Sequence, residues 1–179
     1  MREVDVLAFG PHPDDVELGC GGTLLKLADR GYSFAIIDLT RGEMSTRGTV
    51  EMRAAEAAAA ARVLGATARE NLALADGDVR NDHESRQKVV EVIRAYRPRL
   101  VFAPYYHDRH PDHSHASELI YEAAFVAGLR RYETGQESYR PSQFAYYMRW
   151  YEFEPTFIVD ITEQYERKMQ AIWSYASQF

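Results

Sequence analysis

Cysteine is almost absent from this chain of 179 residues, in which Cys20 is the only example. One cysteine excludes an intrachain disulfide and a zinc site built from several thiolates, and it fits a reducing compartment. Long apolar runs are also absent: none reaches membrane-spanning length, and acidic residues stand where a signal peptide needs its apolar core. We therefore expect a cytoplasmic protein with no membrane partner.

Positive charge is in deficit. The chain has 21 Lys and Arg against 27 Asp and Glu, a formal net charge of −6, and shows no basic stripe. Proteins that bind nucleic acids need clustered basic residues to neutralise phosphates, so no nucleic-acid partner is expected. With 46% hydrophobic and 27% charged residues, the composition is that of a globular protein, and the length favours a single domain over residues 1–179.

Apolar strand patterns alternate with helical patterns along the chain. The predicted strands are residues 4–9, 33–40, 71–74, 100–103, 144–151 and 157–161. The predicted helices are residues 23–30, an alanine-rich segment ended by Gly65, a segment ended by Pro98, 114–132, and a last helix with Tyr165, Met169, Ile172, Trp173 and Ala176 on one face. Asn81 and Glu84 fit a capping box, and Thr162 is expected to cap the last helix. This alternation predicts an α/β fold with a mostly parallel sheet.

Two loops are rich in histidine and carboxylate side chains. The first, within residues 10–22, places one imidazole and three carboxylates in six residues after the first predicted strand. The second, residues 104–113, follows the strand at 100–103 and contains His107, His110 and His113 with Asp108 and Asp112. The carboxyl ends of parallel strands meet at one edge of a sheet, so both loops are expected at the same edge. A hydrophobic core gives no reason for so many charges, which favours an active site there.

Glycines surround the only cysteine at the end of the first loop. Gly19, Gly21 and Gly22 do not have the spacing of a dinucleotide-binding fingerprint, so they predict close packing rather than a phosphate cradle. Cys20 between them is expected to be a small buried side chain rather than a nucleophile.

A metal site is predicted from His12, Asp15 and His113. Two neutral imidazoles and a carboxylate suit Zn²⁺, and Fe²⁺ would fit about as well. Three protein ligands leave a coordination position for water, as in catalytic sites. The alternative is that His12 and Asp15 only form a turn, because a His-x-x-Asp spacing alone is common.

Asp14 is the candidate general base, because adjacent side chains in an extended loop point apart and Asp14 would then lean toward a metal-bound water. The alternative is that Asp14 caps a helix, where a carboxylate is also favoured, and the same alternative applies to Asp112. His110 precedes His113 by three residues and is expected to face the same cavity. A protonated imidazole there would stabilise an oxyanion or protonate a leaving amine.

Two motifs resemble the LmbE-like (PIG-L) family of zinc-dependent N-deacetylases: Pro11-His12-Pro13-Asp14-Asp15 with Gly21-Gly22-Thr23, and later His110-Pro111-Asp112-His113. The resemblance covers essentially the whole chain. It implies a Rossmann-like three-layer sandwich with the active site at the carboxyl ends of the strands. It also implies that zinc is held by His12, Asp15 and His113, that Asp14 is the base, and that His110 stabilises the tetrahedral intermediate with Asp112 beside it.

Within that family, the chain is most similar to the N-acetylglucosaminyl-L-malate deacetylases of bacillithiol biosynthesis. The resemblance rests on Asp38-Leu39-Thr40, Gly48-Thr49-Val50-Glu51-Met52-Arg53, Phe102-Ala103-Pro104-Tyr105-Tyr106 and Asp108-Arg109-His110. It implies hydrolysis of the acetamide of an N-acetylglucosamine conjugate, with substrate binding by Arg53 and Arg109. Arg53 would pair with a carboxylate of the conjugate, and its alternative is a solvated helix position.

The resemblance also implies a homo-oligomer, a trimer or a hexamer. Family members usually continue beyond the position of Phe179, so the chain is either a short relative or lacks the family's C-terminal part. Three alternatives remain open for the function: a deacetylase of another N-acetylated sugar, a metal-binding module without catalysis, and a phosphoester hydrolase with a second, carboxylate-held metal.

Overall fold

The computed structural model describes residues 3–179. Its sheet has five strands, all parallel, in the order β3-β2-β1-β4-β5. The strands are β1 (Val6–Gly10), β2 (Phe34–Thr40), β3 (Ala68–Leu74), β4 (Leu100–Pro104) and β5 (Gln143–Tyr147). The central strand β1 aligns Val6 with Phe34 of β2 and with Leu100 of β4. The predicted parallel sheet is confirmed.

Helices cover both faces of the sheet. They are α1 (Asp15–Gly19), α2 (Gly21–Ala28), α3 (Val50–Leu64), α4 (His83–Tyr96), α5 (Pro111–Val126) and α6 (Tyr165–Trp173), with a 3₁₀ turn at Thr162–Gln164. Alternate residues of β1 serve the two faces, since Leu7 and Phe9 pack in a core with α4 and α5, while Val6 and Ala8 pack in a second core with α1, α2, α3 and α6. The fold is therefore the expected three-layer α/β sandwich. Among residues 3–179, no helix combines the length and the apolar character needed to cross a membrane.

Local sequence signals account for the long helix α3. Its alanines have high helix propensity, and Thr49 caps it by accepting a hydrogen bond from the Met52 N–H at 3.2 Å. Gly65 ends it with a φ of 75°, a left-handed conformation that glycine adopts easily. The helix ends where the sequence predicts.

Two of the three glycines that were predicted to pack closely do so, against side chains that lie far along the chain. A Cβ at Gly19 would overlap the ring of Tyr147, and one at Gly22 would overlap the side chain of Ile161. The same atom at Gly21 would have only ordinary contacts, the nearest at 3.6 Å. Cys20 between them is buried.

The last two predicted strands are wrong in part. The fifth strand ends at Tyr147 rather than continuing to residue 151, and residues 157–161 form no strand. Phe157 and Ile158 are 60% and 83% exposed. Strand propensity measures how well a side chain fits a half-buried pleated surface, and this segment has no neighbouring strand that would supply one.

Two predicted helix boundaries also differ. The first loop contains a helix of its own, α1, which starts at Asp15, although the sequence indicated irregular structure there. Helix α5 is shorter than the predicted residues 114–132 and starts at Pro111, since proline favours the first helical position.

The predicted caps of two helices are replaced by neighbouring aspartates. Asp82, not Asn81, caps α4 by accepting a hydrogen bond from the Ser85 N–H at 2.8 Å. Asp160 accepts hydrogen bonds from both the N–H and the hydroxyl of Thr162. The Thr162 hydroxyl is therefore a donor to Asp160 and does not cap the helix that follows. In α6, Ile172 is buried, but Tyr165 and Trp173 are 52% and 60% exposed, and the predicted apolar face is only partly confirmed.

Candidate active site

The two polar loops meet at the carboxyl edge of the sheet. The loop after β1 carries His12, and the loop after β4 carries His110, whose ring lies 4.8 Å from that of His12. A pocket at this edge is lined by His12, Gly42, Met44, Ser45, Arg53, Asp76 and His110. Apart from Arg53, which lies in α3, the lining residues lie in the loops that follow β1, β2, β3 and β4. Four of the five strands therefore lead into one site.

His12, Asp15 and His113 form a group that could hold a metal ion. The Asp15 Oδ2 atom lies 3.2 Å from His12 Nδ1 and 3.3 Å from His113 Nε2, and the three donor atoms lie within 4.8 Å of one another. Asp15 and His113 are 2% and 3% exposed. A second group, His12, His110 and Asp112, shares its first member with this one. Within residues 3–179, the two groups that could each hold an ion thus have the His12 imidazole in common.

Asp15 is fixed from several directions. Its Oδ2 atom accepts the backbone N–H of His12 at 2.9 Å, and its Oδ1 atom lies 2.8 Å from an Nη2 atom of Arg149. Burial alone would raise the pKa of this carboxyl. The hydrogen bonds with His113 and His12 outweigh burial and hold the pKa of Asp15 well below its usual range. Asp15 is therefore ionised, as a metal ligand must be.

The second nitrogen of His12 faces carboxylates. Its Nε2 atom lies 3.0 Å from Asp76 Oδ1 and 3.2 Å from Asp112 Oδ2. Burial lowers the pKa of His12, but the bonds to Asp112, Asp15 and Asp76 outweigh it and raise that pKa to about 12 in the protein without metal. Carboxylates behind a ligating histidine are typical of metal sites, because they fix the tautomer and the ring orientation.

The carboxylate of Asp112 is bound by backbone N–H groups and is outside the set of residues that line the pocket. Its carboxylate accepts the backbone N–H groups of Gly77 at 2.7 Å and of Val79 at 3.1 Å, which fixes the loop after β3. Its contact with His12 uses the same Oδ2 atom as the bond from Gly77. The structure thus gives Asp112 a positioning contact with His12, while its predicted catalytic role remains a prediction.

Asp14 has an unusual backbone conformation. Its φ of 114° is rare for a residue other than glycine, and its side chain makes no capping hydrogen bond to α1. Asp14 thus occupies the N-cap position of α1, as the alternative has it, but without a capping hydrogen bond from its carboxylate. Burial, followed by the neighbouring charge of Asp15, raises the pKa of Asp14 to about 7, and Arg53 opposes this shift.

Arg53 binds Asp14. Its Nη2 atom donates to Asp14 Oδ2 at 2.9 Å and to the Pro13 carbonyl at 2.6 Å, and its Nε–H donates to the same carbonyl at 3.2 Å. The residue is 6% exposed, so the solvated-position alternative is wrong. Much of its guanidinium is engaged by the protein, although Arg53 also lines the pocket.

His110 and Arg109 differ in how closely they approach the pocket. His110 lines it and accepts the Asp112 N–H on Nδ1 at 3.2 Å, which leaves Nε2 for a substrate. Burial lowers the pKa of His110, so the neutral ring with a proton on Nε2 is favoured over the protonated imidazole that we expected. Arg109 is exposed and stacks on Trp150, with Cζ 3.6 Å from the ring centre. Among residues 3–179, Arg109 is outside the set that lines this pocket.

Sequence reasoning missed both Arg149 and Asp76 as residues of the site. Both lie shortly after the carboxyl end of a strand, β5 and β3 respectively, where ligand-binding residues are expected. The fifth strand was predicted to run through residue 149, which concealed this signal. A correct end for the fifth strand would have placed Arg149 at the site, whereas Asp76 was missed although the end of the third strand was predicted correctly.

Sequence reasoning also missed a buried hydrogen-bond network that includes a side chain of α1. Arg69 donates to both oxygens of Asp38, at 2.7 and 2.8 Å, and to Glu17 Oε1 at 2.5 Å. The Tyr175 hydroxyl donates to the same Glu17 oxygen at 2.9 Å. Glu17 and Tyr175 are both 0% exposed. This network fixes the helix that begins with Asp15.

Comparisons with known proteins agree with this fold. A diacetylchitobiose deacetylase from Thermococcus kodakarensis is 34% identical over 189 residues, covering 97% of this chain and 70% of that protein. The crystal structure of a conserved protein from Thermus thermophilus superposes with a TM-score of 0.95 at 44% identity, covering 98% of this chain and 80% of that one.

Two further relatives differ from each other in their activities. A probable N-acetyl-α-D-glucosaminyl L-malate deacetylase from Bacillus anthracis is 28% identical over 99% of this chain and 83% of that protein. A 4-oxalmesaconate hydratase from Pseudomonas putida is 27% identical over 96% of this chain and 73% of that protein. Residues 7–124 match the family described as PIG-L, GlcNAc-PI de-N-acetylase. The chain belongs to the PIG-L family.

Proposed function

We propose that this protein is a metal-dependent deacetylase that hydrolyses the acetamide of an N-acetylglucosamine conjugate to acetate and a free amine. The observation that carries the proposal is the convergence of His12, Asp15 and His113 beside Asp14 in a chain of this family. Relatives with deacetylase names support the reaction class. The trimer or hexamer implied by the resemblance stays a prediction.

The donor set fits a divalent cation, for which we propose Zn²⁺, with Fe²⁺ as the alternative. Two imidazoles and a carboxylate are ligands of both ions. The carboxylates of Asp76 and Asp112 contact the Nε2 atom of His12 and so fix the orientation of its ring, as in established zinc sites. A divalent cation bound here would supply Lewis acidity, which polarises a carbonyl oxygen and makes a water molecule more acidic.

Two side chains around this site, Asp14 and His110, carry out the proton transfers and bind the acetyl oxygen. Asp14, whose carboxylate is held by Arg53, takes the proton from the attacking water and returns it to the departing amine. The Nε2–H of His110 donates a hydrogen bond to the acetyl oxygen as charge develops on it. Water adds to the acetyl carbon and the C–N bond breaks, so the products are acetate and the amino sugar.

For the conjugate, we propose N-acetylglucosaminyl-L-malate, with N,N′-diacetylchitobiose as the competing substrate. The motifs of the malate deacetylases support the first, and the relative from Thermococcus kodakarensis supports the second. Arg109 still offers N–H donors to a carboxylate, whereas Arg53 is already bound to Asp14 and Pro13.

The test is release of free amine from both conjugates and from free N-acetylglucosamine, using protein reloaded with one equivalent of zinc. We expect Asp14→Asn to lower turnover by about 10²-fold or more with zinc content unchanged, since general base catalysis contributes that much. Asp78→Asn, an exposed aspartate, is the control and should retain activity.

Wild-type turnover in Asp14→Asn would contradict the mechanism. If the zinc-loaded wild-type protein released no amine from any acetylated sugar, the proposed function would fail. Water addition to an unsaturated acid, the reaction named for the Pseudomonas putida relative, would then be the next candidate, and a metal-binding module the one after it.

A further inference from the structure

One wall of the pocket is a loop without regular structure. Residues 41–49 connect β2 with α3, and we call them the wall loop. Gly42, Met44 and Ser45 of this loop line the pocket together with His12, Asp76 and His110 from the loops after the other strands. Hydrogen bonds within the loop join Ser45 to Gly42 and to Arg47, and further hydrogen bonds tether the loop to the rest of the protein.

The pocket side of the wall loop is tethered through the loop after β3. The Met44 N–H donates to Asp76 Oδ2 at 2.8 Å, and the Asp76 N–H donates to Glu43 Oε1 at 3.2 Å. These two bonds fix residues 43 and 44.

The outer side of the wall loop is tethered by Gln178. Its Oε1 atom accepts the Ser45 hydroxyl at 3.0 Å, and its Nε2 atom donates to the Arg47 carbonyl at 3.0 Å. One carboxamide therefore uses its acceptor and one donor on two residues of the loop. Ser45 is also a pocket residue, so Gln178 is one hydrogen bond away from the substrate space.

Gln178 is itself held in place. Residues 175–178 follow α6 and lie against α3 and α1. Ser177 donates its N–H and its hydroxyl to Glu56 of α3 at 2.8 and 2.7 Å, and Tyr175 is bonded to Glu17. Gly48 shows how close the contact is: its φ is 73°, and a Cβ there would lie 2.8 Å from the Ser177 hydroxyl oxygen.

We propose that Gln178 is a positioning residue that sets the shape of the wall loop and thereby the affinity for the sugar substrate. The effect acts through Ser45 and leaves the groups that carry out the hydrolysis in place. The link to a sugar rests on the proposed function, whereas the link between Gln178 and the wall loop does not.

The experiment compares Gln178→Ala with Gln170→Ala, an exposed glutamine of α6. Hydrogen–deuterium exchange of residues 41–49 and tryptic cleavage after Arg47 report on the loop without any substrate. We expect both to accelerate about fivefold or more in Gln178→Ala only, because one net hydrogen bond corresponds to about that factor. With the preferred conjugate, KM should rise roughly fivefold to tenfold, with kcat within about twofold and zinc content unchanged.

A second variant, Gln178→Glu, keeps the acceptor for Ser45 but places a carboxylate oxygen opposite the Arg47 carbonyl. Its exchange should therefore accelerate most near Arg47. Unchanged exchange in Gln178→Ala would overturn the proposal. Faster exchange with a lower kcat and an unchanged KM would overturn the role in substrate affinity. If no acetylated sugar is hydrolysed at all, the proposed function fails, and the exchange data alone decide the role of Gln178.

Discussion

At the scale of single residues, the site is organised around a strained aspartate. A non-glycine residue with a positive φ carries a strain of order 1–3 kcal/mol, and such strain is tolerated where surrounding structure enforces it. Asp14 has a φ of 114° and gains no capping bond from this conformation. Arg53 secures it instead, by bonding both to its carboxylate and to the Pro13 carbonyl immediately before it. This arrangement supports a role for Asp14 in the reaction.

The contacts of Arg53 lead to a prediction that separates its two possible roles. Arg53→Met removes the one charge-assisted hydrogen bond to Asp14, worth about 1.5–3 kcal/mol, so kcat/KM should fall by about 10- to 10²-fold. The loss should be similar for N-acetylglucosaminyl-L-malate and for N,N′-diacetylchitobiose, because the effect acts through Asp14. Arg62→Met, on the exposed side of the same helix, is the control.

The opposite pattern would support binding of a substrate carboxylate by Arg53. In that case KM for the malate conjugate would rise strongly while diacetylchitobiose, which has no carboxylate, would be affected little. Steady-state kinetics with both substrates distinguish the two patterns.

At the scale of elements, the short helix α1 depends on close contact with the sheet. Its five residues cannot form a stable helix alone, because helix nucleation is costly. Its last residue, Gly19, lies directly against the ring of Tyr147, whose hydroxyl donates to the Phe9 carbonyl at 2.8 Å. The contact joins α1 to β5 and β1 and so helps to place Asp15.

Gly19→Ala should therefore destabilise the protein by about 1–3 kcal/mol, because the added methyl group overpacks a buried contact. Gly21→Ala is the matched control. Its Cβ has room and alanine is the better helix former, so that variant should be neutral or more stable by up to about 1 kcal/mol. Urea unfolding of both variants measures the difference, and equal stabilities would contradict the packing account.

At the scale of the whole molecule, negative charge is concentrated at one edge of the sheet. Asp14, Asp15, Asp76 and Asp112 gather there, and Arg53, Arg149 and the His12 ring supply the positive charge in contact with them. His12, Asp15 and His113 form a group that could hold a divalent cation only in the folded chain, because the unfolded chain does not bring these three residues together. Binding a cation should therefore stabilise the folded chain.

We expect added Zn²⁺ to raise the melting temperature of chelator-treated protein. A ligand that binds only the folded state stabilises it by about 2.7 kcal/mol at a hundredfold excess over its Kd. His113→Ala should abolish most of this shift, while His115→Ala, an exposed histidine on the same helix, should keep it. A full shift in His113→Ala would contradict the assignment of His113 as a ligand. Differential scanning calorimetry with and without zinc makes the measurement.

The sequence by itself determined the parallel sheet and the neighbourhood of the two polar loops. The apolar runs that became β1, β2 and β4 are local signals, and a parallel sheet brings their carboxyl ends together whatever the details of packing. It also indicated His12, Asp15 and His113 as a group, and the structure places their donor atoms within 4.8 Å of one another.

Only the tertiary structure decided which partners complete the site. Arg149 reaches Asp15 because β5 ends at Tyr147, and the strand pattern gave no sign of that end. Ser45 and Gln178 are 133 positions apart, so no local pattern relates them. The physical reason is the same in both cases. Hydrogen bonds between distant segments depend on where the packed layers bring those segments. Strand and helix patterns reflect only residues that are close together in the sequence.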